Sequence, residues 1–358
     1  MLMTPGPTEV PKPVREAMGG ELINPNVDPE FREIYRELTE QLSMVYGTRN
    51  TDHQIVVPGG EGILGLEASI ASLVEPGTRV LCLSNGLYGD GFADFVESYG
   101  GDATLVSAPD TEPLPMEKLE RRLQEDTFEV ATMVHCETPT GTLNRIEPAL
   151  DLLADHDVLT VVDAVSSLGG TPVPTGKIDV CLGASQKCFS APPGLTTAAI
   201  NEAAWDAMEE RGNRSLYTNF LPWRDTDEAF PYTHLTTEVV ALRTSLELLL
   251  EEGIESVYRR HEEAARHCRK RGAELDLELY PDAGEDRTAP ERSSPTVTAF
   301  SVPGRAEVIQ RRLREDHDIT IATGLASHAE DVIRVGHMGH NARIEKVDRT
   351  MDALGDII

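Results

Sequence analysis

The sequence predicts an α/β fold: a large domain on a mostly parallel sheet, followed by a smaller α+β domain. Three observations predict it. Short β-rich runs alternate with helical patterns along most of the chain. Several of those runs are apolar almost throughout, as in strands covered on both faces. The length, 358 residues, exceeds an average domain and suits a large and a small one.

Taken in order, runs 54–57, 80–83, 103–106, 130–135, 158–162 and 180–182 read as strands. Helical patterns lie between them at 62–73, 91–99, 116–124 and 148–155. This alternation implies right-handed crossovers between parallel strands. Long amphipathic helices follow at 237–252 and 254–271. After a stretch rich in Pro, Gly and acids at 281–295, the pattern restarts: a strand at 296–301, a helix at 306–315, strands at 319–321 and 332–335, and a terminal helix. The expected division is a large domain at 21–253 and a small one at 254–358, with residues 1–20 as an arm associated with the small domain.

Composition removes several classes of function. No stretch approaches the ~20 apolar residues of a membrane span. The N-terminus lacks a basic region followed by an apolar core, so no signal peptide is visible and a cytoplasmic location is expected. The formal net charge is −29, with 61 acidic residues against 32 basic ones. Such a field repels nucleic acid and anionic membrane. The acids are scattered, which fits either an ordinary acidic enzyme or one adapted to high salt, where the Debye length shrinks to a few Å; salt adaptation is the favoured reading. The five cysteines form no CxxC pair, so buried free thiols are expected rather than a disulfide framework. His337 and His340 match no zinc spacing, and no metal site is expected.

The chemistry gathers where strands end. Val158 to Asp163 is an apolar run ending in an acid, and ligands of open α/β sheets bind at the carboxyl ends of strands. Lys187 follows the next strand, and Ala191-Pro192-Pro193-Gly194 stiffens the backbone after it. An Asp and a Lys on neighbouring strand ends suit pyridoxal phosphate (PLP): the amine forms an imine with the aldehyde, and the acid holds the pyridine nitrogen protonated. Either residue alone reads better as a turn cap or a surface lysine.

Gly59-Gly60-Glu61-Gly62, between a strand and a helix, is a candidate phosphate cradle. It also contains a literal GxGxxG, Gly60 to Gly65, so a dinucleotide-binding oxidoreductase is a rival; no acid for a ribose follows about 20 residues on. Tyr88 follows the next strand and could stack on a flat ring, though a packed tyrosine is the plainer reading. Thr138 ends another strand and could bond a phenolate oxygen, or simply its own turn. Arg334 is a charge inside an apolar strand; a substrate carboxylate or an internal salt bridge would serve equally as its partner.

In order along the chain, these motifs resemble class V, fold-type I aminotransferases, most of all the alanine–glyoxylate/serine–pyruvate branch. The carrying residues include Thr4-Pro5-Gly6-Pro7-Thr8, Asn85-Gly86-Leu87-Tyr88-Gly89, Glu137-Thr138-Pro139-Thr140-Gly141, Asp163 to Gly170, Ser185-Gln186-Lys187 and Arg334-Val335-Gly336. The resemblance implies fold type I with a seven-stranded sheet. It implies Lys187 as Schiff-base lysine and proton shuttle, with Asp163 on the pyridine nitrogen. Val165 and Tyr88 would flank the ring, Thr138 would sit at its O3′, and Gly60, Glu61, Gly62 and Gln186 would surround the phosphate. Arg334 would hold the substrate carboxylate. Tyr232 and Thr233 resemble the segment that reaches the partner subunit's phosphate in a homodimer. Relatives often place a hydroxyl residue where this chain has Glu61, and an acid there cannot favour a dianion; its side chain is expected to turn away. The implied reaction is ping-pong transamination of alanine or serine with glyoxylate or pyruvate. Within PLP chemistry the rivals are an aminophosphonate–pyruvate aminotransferase and a desulfurase or other lyase; outside it, the oxidoreductase and a non-catalytic acidic scaffold. Residues 22–29 are a candidate for setting donor choice.

Overall fold

The structure is a computed structural model and describes residues 1–212, 215–226, 229–281 and 292–358. Of the Pro/Gly/acid-rich stretch at 281–295, positions 282–291 lie outside the described residues.

Seven strands form the main sheet: β1 (Gln54–Val56), β2 (Arg79–Ser84), β3 (Asp102–Ser107), β4 (Val130–Val134), β5 (Leu159–Asp163), β6 (Val180–Ala184) and β7 (Thr196–Ile200). They lie in the order β1-β7-β6-β5-β4-β2-β3. Pairing is parallel from β6 through β3. Only β7 runs against the others, pairing antiparallel with both β6 and β1. Strands β4 and β6 are buried along their whole length and β2 is buried beyond its exposed first residue, Arg79, because helices cover both faces.

Eleven helices are described: α1 (Lys12–Ala17), α2 (Pro29–Tyr46), α3 (Gly62–Leu73), α4 (Leu87–Ser98), α5 (Met116–Glu125), α6 (Glu147–Ala154), α7 (Glu202–Arg211), α8 (Thr236–Glu252), α9 (Ile254–Glu274), α10 (Ala306–His317) and α11 (Ile344–Gly355). Helix α3 comes close to the sheet because its contact face carries glycine. A Cβ on Gly65 would lie 2.6 Å from the Thr196 methyl of β7, and one on Gly62 would lie 3.2 Å from Ala184 of β6.

A second sheet has the order β8 (Glu278–Leu279), β9 (Thr298–Ser301), β11 (Val332–Val335), β10 (Ala322–Thr323), antiparallel throughout. The strand expected at 319–321 is corrected by the structure. Thr320 instead makes a single parallel bridge with Leu2, and β10 begins two residues later. Two hydrophobic clusters result. The larger packs the main sheet and its helices, and the smaller gathers Met3, Phe300, Ile309, Leu313, Ile333 and residues of α11. Met3 enters the smaller cluster because the first residues run beside the second sheet: Met3 N–H donates to Thr320 O at 2.7 Å, and Gly336 N–H to Met3 O at 2.7 Å. No described helix is long and apolar enough to cross a membrane.

Candidate active site

Asp163 is the last residue of β5, and Lys187 stands three residues beyond the end of β6, which pairs with β5. The two side chains therefore emerge side by side at the carboxyl ends of the strands. Both line one cavity of about 300 Å³. They form no ion pair with each other, although each feels the other's charge.

The pair is electrostatically loaded. Burial pushes the Asp163 carboxyl up to about 6, against the hydrogen bond it accepts from Val165 N–H at 2.8 Å and the attraction of Lys187. Burial, with the Arg334 charge second, pulls the Lys187 amine below the ordinary lysine range; Asp163 pushes the other way. A lysine so placed is more readily a neutral nucleophile. Its Nζ donates to Pro5 O at 2.8 Å, so the N-terminal arm, with Gly6 and Pro7 in the cavity wall, lies against the amine. A Cβ at Gly6, whose φ is +119°, would meet Lys187 Nζ at 2.6 Å.

Val165, Thr138 and Tyr88 line the same cavity. The Thr138 hydroxyl is hydrogen-bonded to the Ser166 hydroxyl. Tyr88 lies in the first turn of α4, and the buried Glu137 fixes that helix end. Its carboxylate accepts from Gly89 N–H at 2.7 Å and from Tyr88 N–H at 3.3 Å. Burial raises the Glu137 carboxyl to about 7, against those two bonds. Only glycine fits at position 86, since a Cβ there would lie 2.5 Å from Glu137 Cδ. Glu137, Ser166, Gly6 and Pro7 had no role assigned from sequence. The signal for Glu137 was present as an acid inside an otherwise apolar and small-residue strand end.

Arg334 of β11 is buried, and burial lowers its guanidinium to about 10. Its Nε donates to Thr323 O at 2.7 Å and its Nη1 to Thr138 O at 3.3 Å. It pairs with no carboxylate among the described residues, so the internal salt bridge weighed from sequence is not formed.

Of the residues expected around the phosphate, Glu61, Gly62 and Gln186 line the cavity and Gly60, at φ +142°, does not. The expectation that the Glu61 side chain turns away is corrected. Its Oε1 accepts from Ile63 N–H at 3.2 Å, capping α3, and its Oε2 accepts from Gln186 Nε2 at 3.0 Å. The physical reason is the helix N-terminus, whose free N–H groups and dipole attract the nearest acid. Tyr232 and Thr233 are not in the cavity wall. The Tyr232 hydroxyl bonds the Gly59 backbone of its own chain, accepting from N–H at 2.9 Å, and Thr233 Oγ1 accepts from Asn26 at 3.2 Å.

This arrangement can seat a pyridine ring. Its acid and amine form no ion pair, an aromatic and a β-branched side chain line the same cavity, and Arg334, without a carboxylate partner among the described residues, donates to the backbone of the wall residue Thr138. The ring end therefore fits pyridoxal. The phosphate end does not fit: the acid of Glu61 already holds the helix N-terminus, and Gln186 Oε1 is buried without a partner. All five cysteines are buried and none lines the cavity, which leaves a desulfurase without its nucleophile. No group of three or more His, Cys, Asp or Glu among the described residues is arranged for a metal.

Residues 1–350 match the family model described as aminotransferase class-V. The chain belongs to the class V aminotransferases. These are PLP-dependent transaminases, and the chain resembles several of them over nearly its full length. It is 33% identical to an uncharacterized aminotransferase of Methanocaldococcus jannaschii, over 95% of this chain and 88% of that one. It is 30% identical to the pyridoxamine–pyruvate transaminase of Mesorhizobium japonicum, over 99% and 90%. Among solved structures, alanine–glyoxylate aminotransferase from Nostoc sp. superposes with a TM-score of 0.92 at 29% identity, covering 99% of this chain and 94% of that one. A class V aminotransferase has fold type I, and the seven-stranded sheet described above is that fold.

Proposed function

We propose that the chain moves an amino group from a small L-amino acid, alanine or serine, to glyoxylate or pyruvate, the two substrates taking turns at Lys187. The observation that carries this is the Asp163–Lys187 pair on neighbouring strand ends, within one cavity; Arg334 lies outside the cavity wall but donates to the backbone of the wall residue Thr138, and its charge is felt at Lys187. A bound pyridoxal ring would supply the aldehyde and the electron-accepting pyridinium. The chain's own residues do the rest. Lys187, with its basicity lowered, gives up its proton easily and can carry one between the substrate Cα and the ring C4′. Asp163 would keep a proton at the pyridine nitrogen of such a ring, Tyr88 and Val165 would confine it, and Thr138 would bond its hydroxyl. Arg334 grips the substrate carboxylate through its planar fork.

We further read the working unit as a homodimer of chains divided into an arm at 1–20, a large domain at 21–253 and a small domain at 254–358. Supporting the dimer, Leu22, Val27, Leu216 and Tyr217 are more than half exposed, and Tyr217 stacks on Tyr232 with ring centroids 4.6 Å apart.

The spectrum of the purified protein tests the function. Absorbance near ~410–430 nm that hydroxylamine removes marks the imine. Lys187→Ala should lose both this band and amino transfer. A variant that still transaminates at the wild-type rate would refute the assignment.

A further inference from the structure

We propose that the end of the cavity formed by Glu61 and Gln186 selects a neutral hydroxymethyl group and rejects a phosphate. The ring compounds this site takes are then unphosphorylated pyridoxal and pyridoxamine. The proposal rests on the reading that Lys187 carries the pyridoxal ring, and it concerns only the substituent at the ring's far end.

Four observations carry it. First, the anion-binding capacity of α3 is already in use, because Ile63 N–H donates to the Glu61 carboxylate. Second, that carboxylate is held in place. Gln186 Nε2 donates to it, Gly60 N–H is tied to Gly194 O at 2.7 Å, and Thr196 Oγ1 donates to the Glu61 carbonyl at 2.9 Å. The backbone under the acid therefore cannot easily swing it aside. Third, Gln186 is 5% exposed and its Oε1 has no hydrogen-bond partner. A buried acceptor without a donor is costly, and it identifies the missing group as a donor. Fourth, Ile63 and Leu66 supply apolar wall beside the acid, and Lys187 is the only Lys or Arg lining the cavity among the described residues.

The chemistry of the two candidate substituents decides between them. A phosphate ester dianion brings acceptor oxygens and negative charge to an acid and an orphaned acceptor. A hydroxymethyl O–H donates one proton, to either Glu61 or Gln186, and carries no charge. Two negative groups brought together repel, an effect that solvent screens in part because Glu61 is exposed, so the acid acts by exclusion as well as by attraction. Without a phosphate anchor, the ring compound exchanges with solution instead of remaining as a permanent resident.

The test uses the full chain, cleared of ring compounds with hydroxylamine and dialysed. It is titrated in parallel with pyridoxal and with PLP, and the imine band is read at equilibrium. Pyridoxal should bind at least about tenfold more tightly than PLP, the equivalent of roughly 1.4 kcal/mol. Glu61→Gln, which keeps an acceptor for Ile63 N–H, and Glu61→Ser, a good helix cap, should each shift the ratio toward PLP by about tenfold or more. Equal or tighter binding of PLP by the wild type overturns the proposal. So does an unchanged ratio in both variants, provided that circular dichroism shows them folded. If neither compound gives an imine band with the wild type, the assignment of Lys187 itself fails and this proposal falls with it.

Discussion

Arg334 shows how much energy one residue stores at this site. A guanidinium buried in a strand, with two backbone carbonyls and no acid, is under-compensated. A substrate carboxylate completes it with charge-assisted bonds. Arg334→Lys keeps the charge but loses the fork, and KM for the keto acid should rise on the order of tenfold or more, with the imine band intact. Steady-state kinetics with glyoxylate and pyruvate checks this. Asp163 stores energy of the same kind, with a sign that can be worked out. Its folded value, about 6, lies above the ordinary 3.8. Between those values the folded protein holds a proton that the unfolded chain releases. Stability of the ligand-free protein therefore falls as pH rises through that window, and the penalty is fully present above it. Asp163→Asn should remove a penalty of up to about 3 kcal/mol at pH 8 and almost nothing near pH 3.5. Thermal melts of both proteins at the two pH values measure the difference. A site that is less stable than its neutral variant is spending fold stability on function.

The elements set how finely these residues are held, and α3 is the tightest case. A Cβ on Gly62 would come within 3.2 Å of both Ala184 and Val165. Gly62→Ala should leave the fold intact and press Val165 toward the ring slot, weakening ring binding by about tenfold, as overpacking of this size costs 1–3 kcal/mol. Titration of the imine band alongside a melting curve separates these effects. The elements that place the site were largely legible. Runs ending at Asp163 and just before Lys187 are apolar and short, and the start of α3 follows its glycines. What was not legible has physical causes. Strand β7 reads Thr-Thr-Ala-Ala-Ile, with small residues that face a close-packed helix rather than the bulky pattern of a strand. Helix α2 carries a helical apolar period through Phe31, Ile34, Tyr35, Leu38 and Leu42, but it precedes the first strand and so lies outside the strand–helix alternation that marks the fold. The Glu61 contact was not expected because Glu is not among the residues that usually cap a helix, although an acid immediately before a helix start offers the charge that its dipole attracts.

For the whole molecule, the surface charge is the dominant property. With a net charge of −29, self-repulsion opposes the compact state at low ionic strength. Ion pairs between exposed groups, such as Lys12–Glu16 and Lys177–Asp151, offset little of it. Raising salt from about 0.1 M to about 1 M shortens the Debye length from ~10 to ~3 Å and should raise the melting temperature. A melting temperature that is flat or falls over that range would remove the case for salt adaptation. Lowering the net charge by neutralising exposed acids should mimic the salt.

The grip of the chain's first residues on Lys187 reaches further than the chemistry. The amine is bonded to a carbonyl 182 positions earlier in the sequence, and the strip carrying that carbonyl is itself stitched to Gly336 and Thr320. Three distant stretches must meet before the lysine is seated. Because closing contacts of such separation costs chain entropy before it is rewarded, assembly of the reactive centre is expected to follow formation of the local helices. The colour of the imine would accordingly report completed tertiary structure, and in a refolding experiment it should appear after the far-ultraviolet signal of the helices, never before it.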